Sequence, residues 1–178
     1  MFSYLVLAGV GALALAAPSA RAESHNVQLV NNCGSGNPVF LYQGDSTPAG
    51  SRTINGQLLG GIAWIDGFAG ADCQSSGVNC GIVEFTLTNP SNPDNTQNSA
   101  DYSLLDGNDP QTGAGLGNHK YTYPMNFAFT GSCTKAAPGQ CTGDSAQACP
   151  GAFLGSATTG GAPVQCVSDD AGILITFC

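Results

Sequence analysis

The eight cysteines of this chain restrict its fold more than any other feature. They run from Cys33 to the last residue, Cys178. An even number of cysteines in a secreted chain is typical of a disulfide framework, and sequence alone allows roughly a hundred pairings of eight cysteines. A zinc site is the alternative, but the chain has no Cys-x-x-Cys pair and only two histidines. We therefore predict four disulfides, with no metal site and no other cofactor.

The first 22 residues have the pattern of a secretory signal peptide. An apolar run extends from Tyr4 to Ala17, and residues 20–22 (Ala-Arg-Ala) form a small-x-small cleavage site. A membrane anchor is the alternative, but the run is too short to span a bilayer comfortably, and Pro18 directly after it would interrupt a helix. We predict cleavage after Ala22 and a single domain at residues 23–178. The domain is expected to be secreted to the extracellular space, with association with the cell wall as one option there.

The charge balance excludes some classes of partner. Beyond residue 22 the basic residues are Arg52, Lys120 and Lys135, against all 12 acidic residues of the chain. Nucleic acids and anionic membranes attract basic surfaces, so we expect neither as a partner. Only 9% of the residues are charged, and glycine is abundant. This composition is typical of a β-rich secreted protein with many turns.

Short alternating patterns predict an all-β domain, either a sandwich or a barrel. In the clearest one, Val83, Phe85 and Leu87 fall on one face of a strand, and Glu84 and Thr86 fall on the other. Further strand patterns occupy residues 25–30, 39–42, 51–54, 60–65 and 172–178. The pair at residues 55–56 (Asn-Gly) predicts a tight hairpin turn. Residues 89–100 and 108–118 have the composition of polar loops, the second rich in glycine.

Three ordered blocks resemble thaumatin-like proteins of the small fungal type. Residues 83–87 (VEFTL), 101–107 (DYSLLDG) and 123–127 (YPMNF) follow one another as A-E-F-S-L, Y-D-I-S-L-V-D-G-F-N and V-P-M-D-F do in that family. A cysteine about ten residues before a terminal Phe-Cys also resembles the family's closing pattern. The resemblance implies a thaumatin-like antiparallel β-sandwich with disulfide-tied loops, here with a reduced cysteine-rich second region at 133–149.

The resemblance also implies how the cysteines pair. It joins the two ends of the domain through Cys33–Cys178 and closes a local loop through Cys73–Cys80. In the second region it implies Cys133–Cys166, which leaves Cys141–Cys149.

The family has an acidic cleft associated with binding of β-1,3-glucan and sometimes with weak hydrolysis. Matched one by one, Glu84 corresponds to the cleft glutamate, Asp101 to the aspartate of Y-D-I-S, and Asp106 to that of V-D-G-F. The family's cleft arginine has no counterpart, since Arg52 lies in an earlier strand. In a hydrolytic mechanism Glu84 would donate the proton, Asp101 would be the second carboxylate and Asp106 would bind sugar hydroxyls. The alternative is that all three are simply solvated acidic residues.

Aromatic side chains could add a stacking platform for sugar rings. Trp64, Phe68 and Tyr121 are the candidates, and we assign Trp64 and Tyr121 to substrate binding; a core position is the alternative for such bulky residues. The glycine-rich insertion at 108–118 is expected to form one wall of the cleft.

The resulting expectation is a monomeric, secreted protein that binds β-1,3-glucan or a related cell-wall polysaccharide. Two alternatives stay open: a weak endo-β-1,3-glucanase that uses the same cleft, and a secreted effector or inhibitor that binds another protein. The missing arginine argues for binding without hydrolysis, because a nearby cation helps to keep a carboxylate ionised.

Overall fold

The computed structural model describes residues 22–90, 97–108, 111–155 and 161–178. The predicted signal peptide therefore lies outside the described residues, apart from its last position. The described residues contain thirteen strands, one short 3₁₀ turn at Ser75–Gly77 and no α-helix. The strands are β1 (Ser24–Asn31), β2 (Asn37–Tyr42), β3 (Asp45–Ala49), β4 (Arg52–Asn55), β5 (Leu58–Asp66), β6 (Ile82–Leu87), β7 (Asn98–Leu104), β8 (Asp106–Asn108), β9 (Gly115–Asn118), β10 (Met125–Thr130), β11 (Phe153–Leu154), β12 (Val164–Cys166) and β13 (Gly172–Phe177).

Two main sheets and one hairpin organise these strands. The smaller sheet has the order β10-β13-β1-β4, and the larger one has the order β11-β7-β6-β5-β2-β3, with β12 also paired to β7. Strands β8 and β9 form a separate antiparallel pair. The prediction of an all-β, sandwich-like protein is confirmed at this level. Strand β9 and the last residue of β8 lie in the glycine-rich insertion, which was expected as a loop.

The sheets are mostly antiparallel, but two pairs are parallel. Strand β1 runs parallel to β13, and β7 runs parallel to the short β11. In the first pair both strands end at the same edge of the sheet. Cys33 and Cys178 lie just beyond those ends, and a disulfide joins them. The antiparallel pairing that the resemblance implies therefore does not extend to β1 with β13 or to β7 with β11.

The core lies between the two main sheets, and alternating apolar residues fill it. In β6, Val83, Phe85 and Leu87 are buried, as their spacing predicts. Across the interface the ring of Tyr102 in β7 meets the ring of Phe127 in β10 edge-on, with 5.0 Å between centroids. Burial of such side chains is the main stabilising contribution to a domain of this size.

Four disulfides tie the loops to this core. They are Cys33–Cys178, Cys73–Cys80, Cys133–Cys166 and Cys141–Cys149, which are the pairs that the resemblance implies. Every cysteine is thus oxidised, which indicates an extracellular or otherwise oxidising environment. Within the described ranges, no helix has the length and apolar character needed to cross a membrane.

The turn at residues 55–56 exists but does not close a hairpin. Gly56 has a φ of 94°, a backbone conformation that glycine adopts without strain. Strand β4 before it pairs with β1 in the smaller sheet, whereas β5 after it belongs to the larger sheet. The hairpin prediction is therefore wrong: the chain passes from one layer to the other here.

Candidate functional site

Glu84 and Asp101 stand directly opposite each other on neighbouring strands. Glu84 lies in the middle of β6 and Asp101 in the middle of β7, and the register pairs them. Directly opposed residues of an antiparallel pair have Cβ atoms about 5 Å apart on the same face of the sheet. The flanking residues Val83, Phe85 and Tyr102 point into the core, so the two carboxyl groups lie on the outer face of the larger sheet.

The pair lies in a shallow depression of about 280 Å³ on that face. We call this hollow the acidic depression. Besides the two carboxyl groups, Gly60, Gly61, Ile62, Phe85, Thr86 and Ser99 line it. It combines carboxyl and hydroxyl groups with a small apolar area.

Two glycines on β5 shape one side of the acidic depression. The pairing of β5 with β6 shifts in register between Leu58 and Gly61, and Gly60 has a φ of 58°. On the core side of the strand, a Cβ on Gly61 would lie 2.8 Å from the Phe85 ring. The sequence Gly60-Gly61 therefore permits an irregular stretch of strand that packs closely on the core and borders the carboxyl pair.

Burial and mutual repulsion alter the acidity of the pair. Burial, and next the neighbouring charge of Glu84, raise the pKa of Asp101 from 3.8 to about 7. Burial also raises the pKa of Glu84, and the nearby imidazole of His119 opposes that rise. The Oδ1 atom of Asp101 is buried and has no hydrogen-bond partner among the described residues. Like charges directly opposite each other destabilise a sheet, so the fold tolerates this pair at the expense of stability.

His119 is a site neighbour that the sequence did not single out. It follows β9 directly, its backbone N–H donates to the carbonyl of Leu105 over 2.7 Å, and its ring Nδ1 donates to the carbonyl of Gly77 over 3.0 Å. These two bonds hold the imidazole near Glu84. The only signal in the sequence was indirect: His119 directly follows the glycine-rich insertion that was expected beside the cleft.

The remaining predicted site residues do not join the pair. Asp106 is exposed at the start of β8, where it pairs with Asn118, and it is not among the residues that line the acidic depression. Tyr121 lines a different hollow together with Lys120. The structure therefore brings together only Glu84 and Asp101 of the proposed acidic and aromatic set.

The assignment of Trp64 to substrate binding is wrong. Its side chain is 0% exposed, so the indole ring cannot stack on a sugar at the surface. Trp64 lies under the loop after β5, where Gly77 packs so closely that an added Cβ would lie 3.1 Å from the Trp64 Cβ. Phe68 is half-buried and packs edge-on against Tyr123, with 5.2 Å between ring centroids. Both rings are structural.

Arg52 does not supply the missing cleft arginine. Its guanidinium lies 3.1 Å from the carboxylate of Asp45 and 4.9 Å from the centre of the Phe40 ring. It therefore serves the packing of β4 against β2 and β3. Among the described residues, no three histidine, cysteine, aspartate or glutamate side chains are grouped as a metal site would require.

The comparisons with known proteins found no matching family model, no matching curated protein and no matching solved structure.

Proposed function

We propose that this chain is a secreted thaumatin-like protein that binds β-1,3-glucan or a related cell-wall polysaccharide at Glu84 and Asp101. The single observation that carries the proposal is the opposed pair of half-buried carboxyl groups in an open depression. The sequence blocks that resemble the family lie on β6, on β7 with β8, and on β10. The first two of these blocks supply Glu84 and Asp101.

The chemistry of the acidic depression suits a neutral, hydroxyl-rich ligand. With a pKa near 7, Asp101 stays protonated in mildly acidic solution, beside a Glu84 whose pKa burial also raises. A protonated carboxyl group donates a hydrogen bond and an ionised one accepts, so the pair can bind hydroxyl groups in both roles. Thr86 and Ser99 add hydroxyl groups, and Ile62 offers an apolar surface for the C–H face of a sugar ring.

The arrangement favours binding over hydrolysis. Glycoside hydrolysis uses two carboxyl groups that flank the scissile bond. Glu84 and Asp101 stand side by side on one face of a sheet, where they can hydrogen-bond to neighbouring hydroxyl groups. No arginine or lysine is among the described residues that line the acidic depression, so it lacks the cation that the family's cleft has beside its carboxylates.

The alternative function, a weak endo-β-1,3-glucanase, has one specific observation in its favour. A carboxyl group with a pKa near 7 is a suitable general acid at neutral pH, and Asp101 has this property. The electrostatics therefore favour Asp101 as the proton donor and Glu84 as the ionised partner, the reverse of the roles expected from the sequence. In that case Asp101→Asn would abolish release of reducing sugar from soluble β-1,3-glucan.

A sedimentation assay with insoluble β-1,3-glucan tests the binding function. We expect the mature protein to sediment with the polysaccharide and the double variant E84A/D101A to remain in the supernatant. Asp144→Ala, which changes an exposed carboxylate on the 141–149 disulfide loop, is the matched control and should sediment like the parent. A parent protein that stays in solution would contradict the proposal and favour the third candidate, a protein-binding effector or inhibitor.

A further inference from the structure

A second hollow surrounds Tyr121, and the carboxyl pair does not account for it. Its volume is about 520 Å³, larger than the 280 Å³ of the acidic depression. We call it the tyrosine depression. It is lined by Asp72, Asn79, Lys120, Tyr121 and Thr122, together with the small residues 70 and 71.

The walls of the tyrosine depression are tied together covalently and by hydrogen bonds. The disulfide Cys73–Cys80 closes the loop that carries one wall. Asn79 lies at the centre: its side-chain amide donates to the carbonyl of Asp72 over 3.3 Å, and its backbone N–H donates to the carbonyl of Asn118 over 2.6 Å. The hydroxyl of Thr122 donates to the carbonyl of Asn79 over 3.4 Å. A hollow held in this way is preorganised, which lowers the entropic cost of binding a ligand.

The groups around the tyrosine depression match a saccharide. The ring of Tyr121 is partly exposed and can lie against the C–H face of a sugar. The carboxylate of Asp72 and the ammonium group of Lys120 are both exposed, and they can accept from and donate to hydroxyl groups. Because Asp72 and Lys120 carry opposite charges, the tyrosine depression has no net charge that would favour an anion or a cation. A neutral, hydroxyl-rich ligand with an apolar face fits this combination best.

The two depressions are neighbours along β6. The backbone carbonyl oxygen of Lys120 lies close to Gly81: a Cβ atom added to Gly81 would be 3.4 Å from it. Asn79 lines the tyrosine depression, and Glu84, five residues further along the same segment, lines the acidic depression. His119 lies between them, since it influences Glu84 and directly precedes Lys120.

We propose that the tyrosine depression is a second subsite for the same polysaccharide chain. This inference rests on the proposed function, because it extends a ligand bound at Glu84 and Asp101 past His119 to Tyr121. Because the two hollows have separate linings, we expect a short oligosaccharide to fill only the acidic depression. Affinity should therefore rise with chain length, and the rise should depend on Tyr121.

Calorimetric titration with a linear β-1,3-linked glucose trisaccharide and hexasaccharide tests the subsite. We expect the parent to bind the hexasaccharide more tightly, and Tyr121→Ala to weaken hexasaccharide binding about five- to tenfold without changing trisaccharide binding. Tyr121→Phe keeps the ring and should retain the advantage of the longer ligand. Lys120→Ala should weaken hexasaccharide binding, whereas the matched Lys135→Ala, an exposed lysine outside both depressions, should not.

The outcomes separate the subsite from the function on which it rests. If the parent binds both oligosaccharides equally, or if Tyr121→Ala binds the hexasaccharide as the parent does, the subsite is refuted and the proposed function stands. If the parent binds neither oligosaccharide, both are refuted. Loss of the length dependence in Tyr121→Ala alone supports the subsite.

Discussion

Replacing Asp101 by asparagine should stabilise the protein at neutral pH while it removes a group that the proposed function needs. The pKa of this carboxyl group rises from 3.8 to about 7 on folding. One pKa unit corresponds to about 1.4 kcal/mol, so ionisation of Asp101 in the folded state costs at most about 4 kcal/mol. The side chain reaches water through the open depression, and screening reduces this figure. We expect Asp101→Asn to increase the free energy of unfolding by about 1–3 kcal/mol at pH 8.

The sign of the effect depends on pH in a defined way. Because the folded-state pKa of Asp101 lies above its unfolded value, the folded protein binds more protons between about pH 4 and pH 7. The contribution of this group is therefore most favourable below pH 4 and is lost as the pH rises toward 7. The difference between Asp101→Asn and the parent should be near zero at pH 4 and reach its maximum above pH 7.

Urea unfolding of the parent and the variant at pH 4, 6 and 8 measures this difference. Asp144→Asn, an exposed aspartate outside the acidic depression, is the matched control and should stay within about 0.5 kcal/mol of the parent at every pH. In a Glu84→Gln background the stabilisation by Asp101→Asn should be smaller, because part of the repulsion is already removed. A variant that is less stable than the parent at pH 8, or a difference that does not depend on pH, would refute this reasoning.

Three further predictions concern the framework. Removing Cys33–Cys178 by a double serine substitution should lower stability by about 5 kcal/mol in the chain-entropy model, since the disulfide closes a loop of 145 residues; urea unfolding measures it. Tyr123→Phe should lower the free energy of unfolding by about 1–3 kcal/mol, because its buried hydroxyl accepts from the Ile65 N–H and donates to a backbone carbonyl, both over 3.0 Å. Gly77→Ala should lower the melting temperature by several degrees, because the new Cβ would lie 2.3 Å from the Ile82 side chain in a region of positive φ.

Matched variants control each of these predictions. Opening Cys73–Cys80, which closes a loop of only 7 residues, should cost about 2 kcal/mol, and a cost equal to that of the long loop would contradict the entropic argument. Tyr42→Phe removes the hydroxyl of a tyrosine that is only half-buried, and it should be nearly neutral; a loss equal to that of Tyr123→Phe would argue against the buried hydrogen bonds as the cause. Gly34→Ala has a similar φ of 78° but meets open space, so a loss as large as that of Gly77→Ala would exclude the steric clash as the cause.

Local patterns were readable in the sequence where one face of a strand is buried. The alternation of residues 82–87 identified β6 and its core face, because side chains alternate strictly across a strand. The pairing of Glu84 with Asp101 was not readable, since the register depends on the partner strand. Sequence reasoning placed both residues near one cleft only through a family resemblance.

The predictions that were wrong concerned elements whose role is decided by distant parts of the chain. Trp64 was misassigned because the local sequence does not distinguish a core tryptophan from one that stacks on a sugar. Its burial depends on the loop that covers it. The turn at Asn55 was recognised, but its chemistry does not reveal that the next strand joins another sheet. His119 escaped notice because its proximity to Glu84 results from the β8–β9 hairpin, most of which was expected as a loop.

Side-chain carboxyl NMR tests whether Glu84 and Asp101 together form the saccharide site. The carboxyl ¹³C resonances of the mature protein are followed from pH 3 to 9 with and without the β-1,3-linked glucose hexasaccharide. We expect the resonance of Asp101 to titrate near pH 7 in the free protein, and the hexasaccharide to shift the resonances of Glu84 and Asp101 but not that of Asp144. Saturating binding of the hexasaccharide that leaves both resonances unchanged would contradict this assignment.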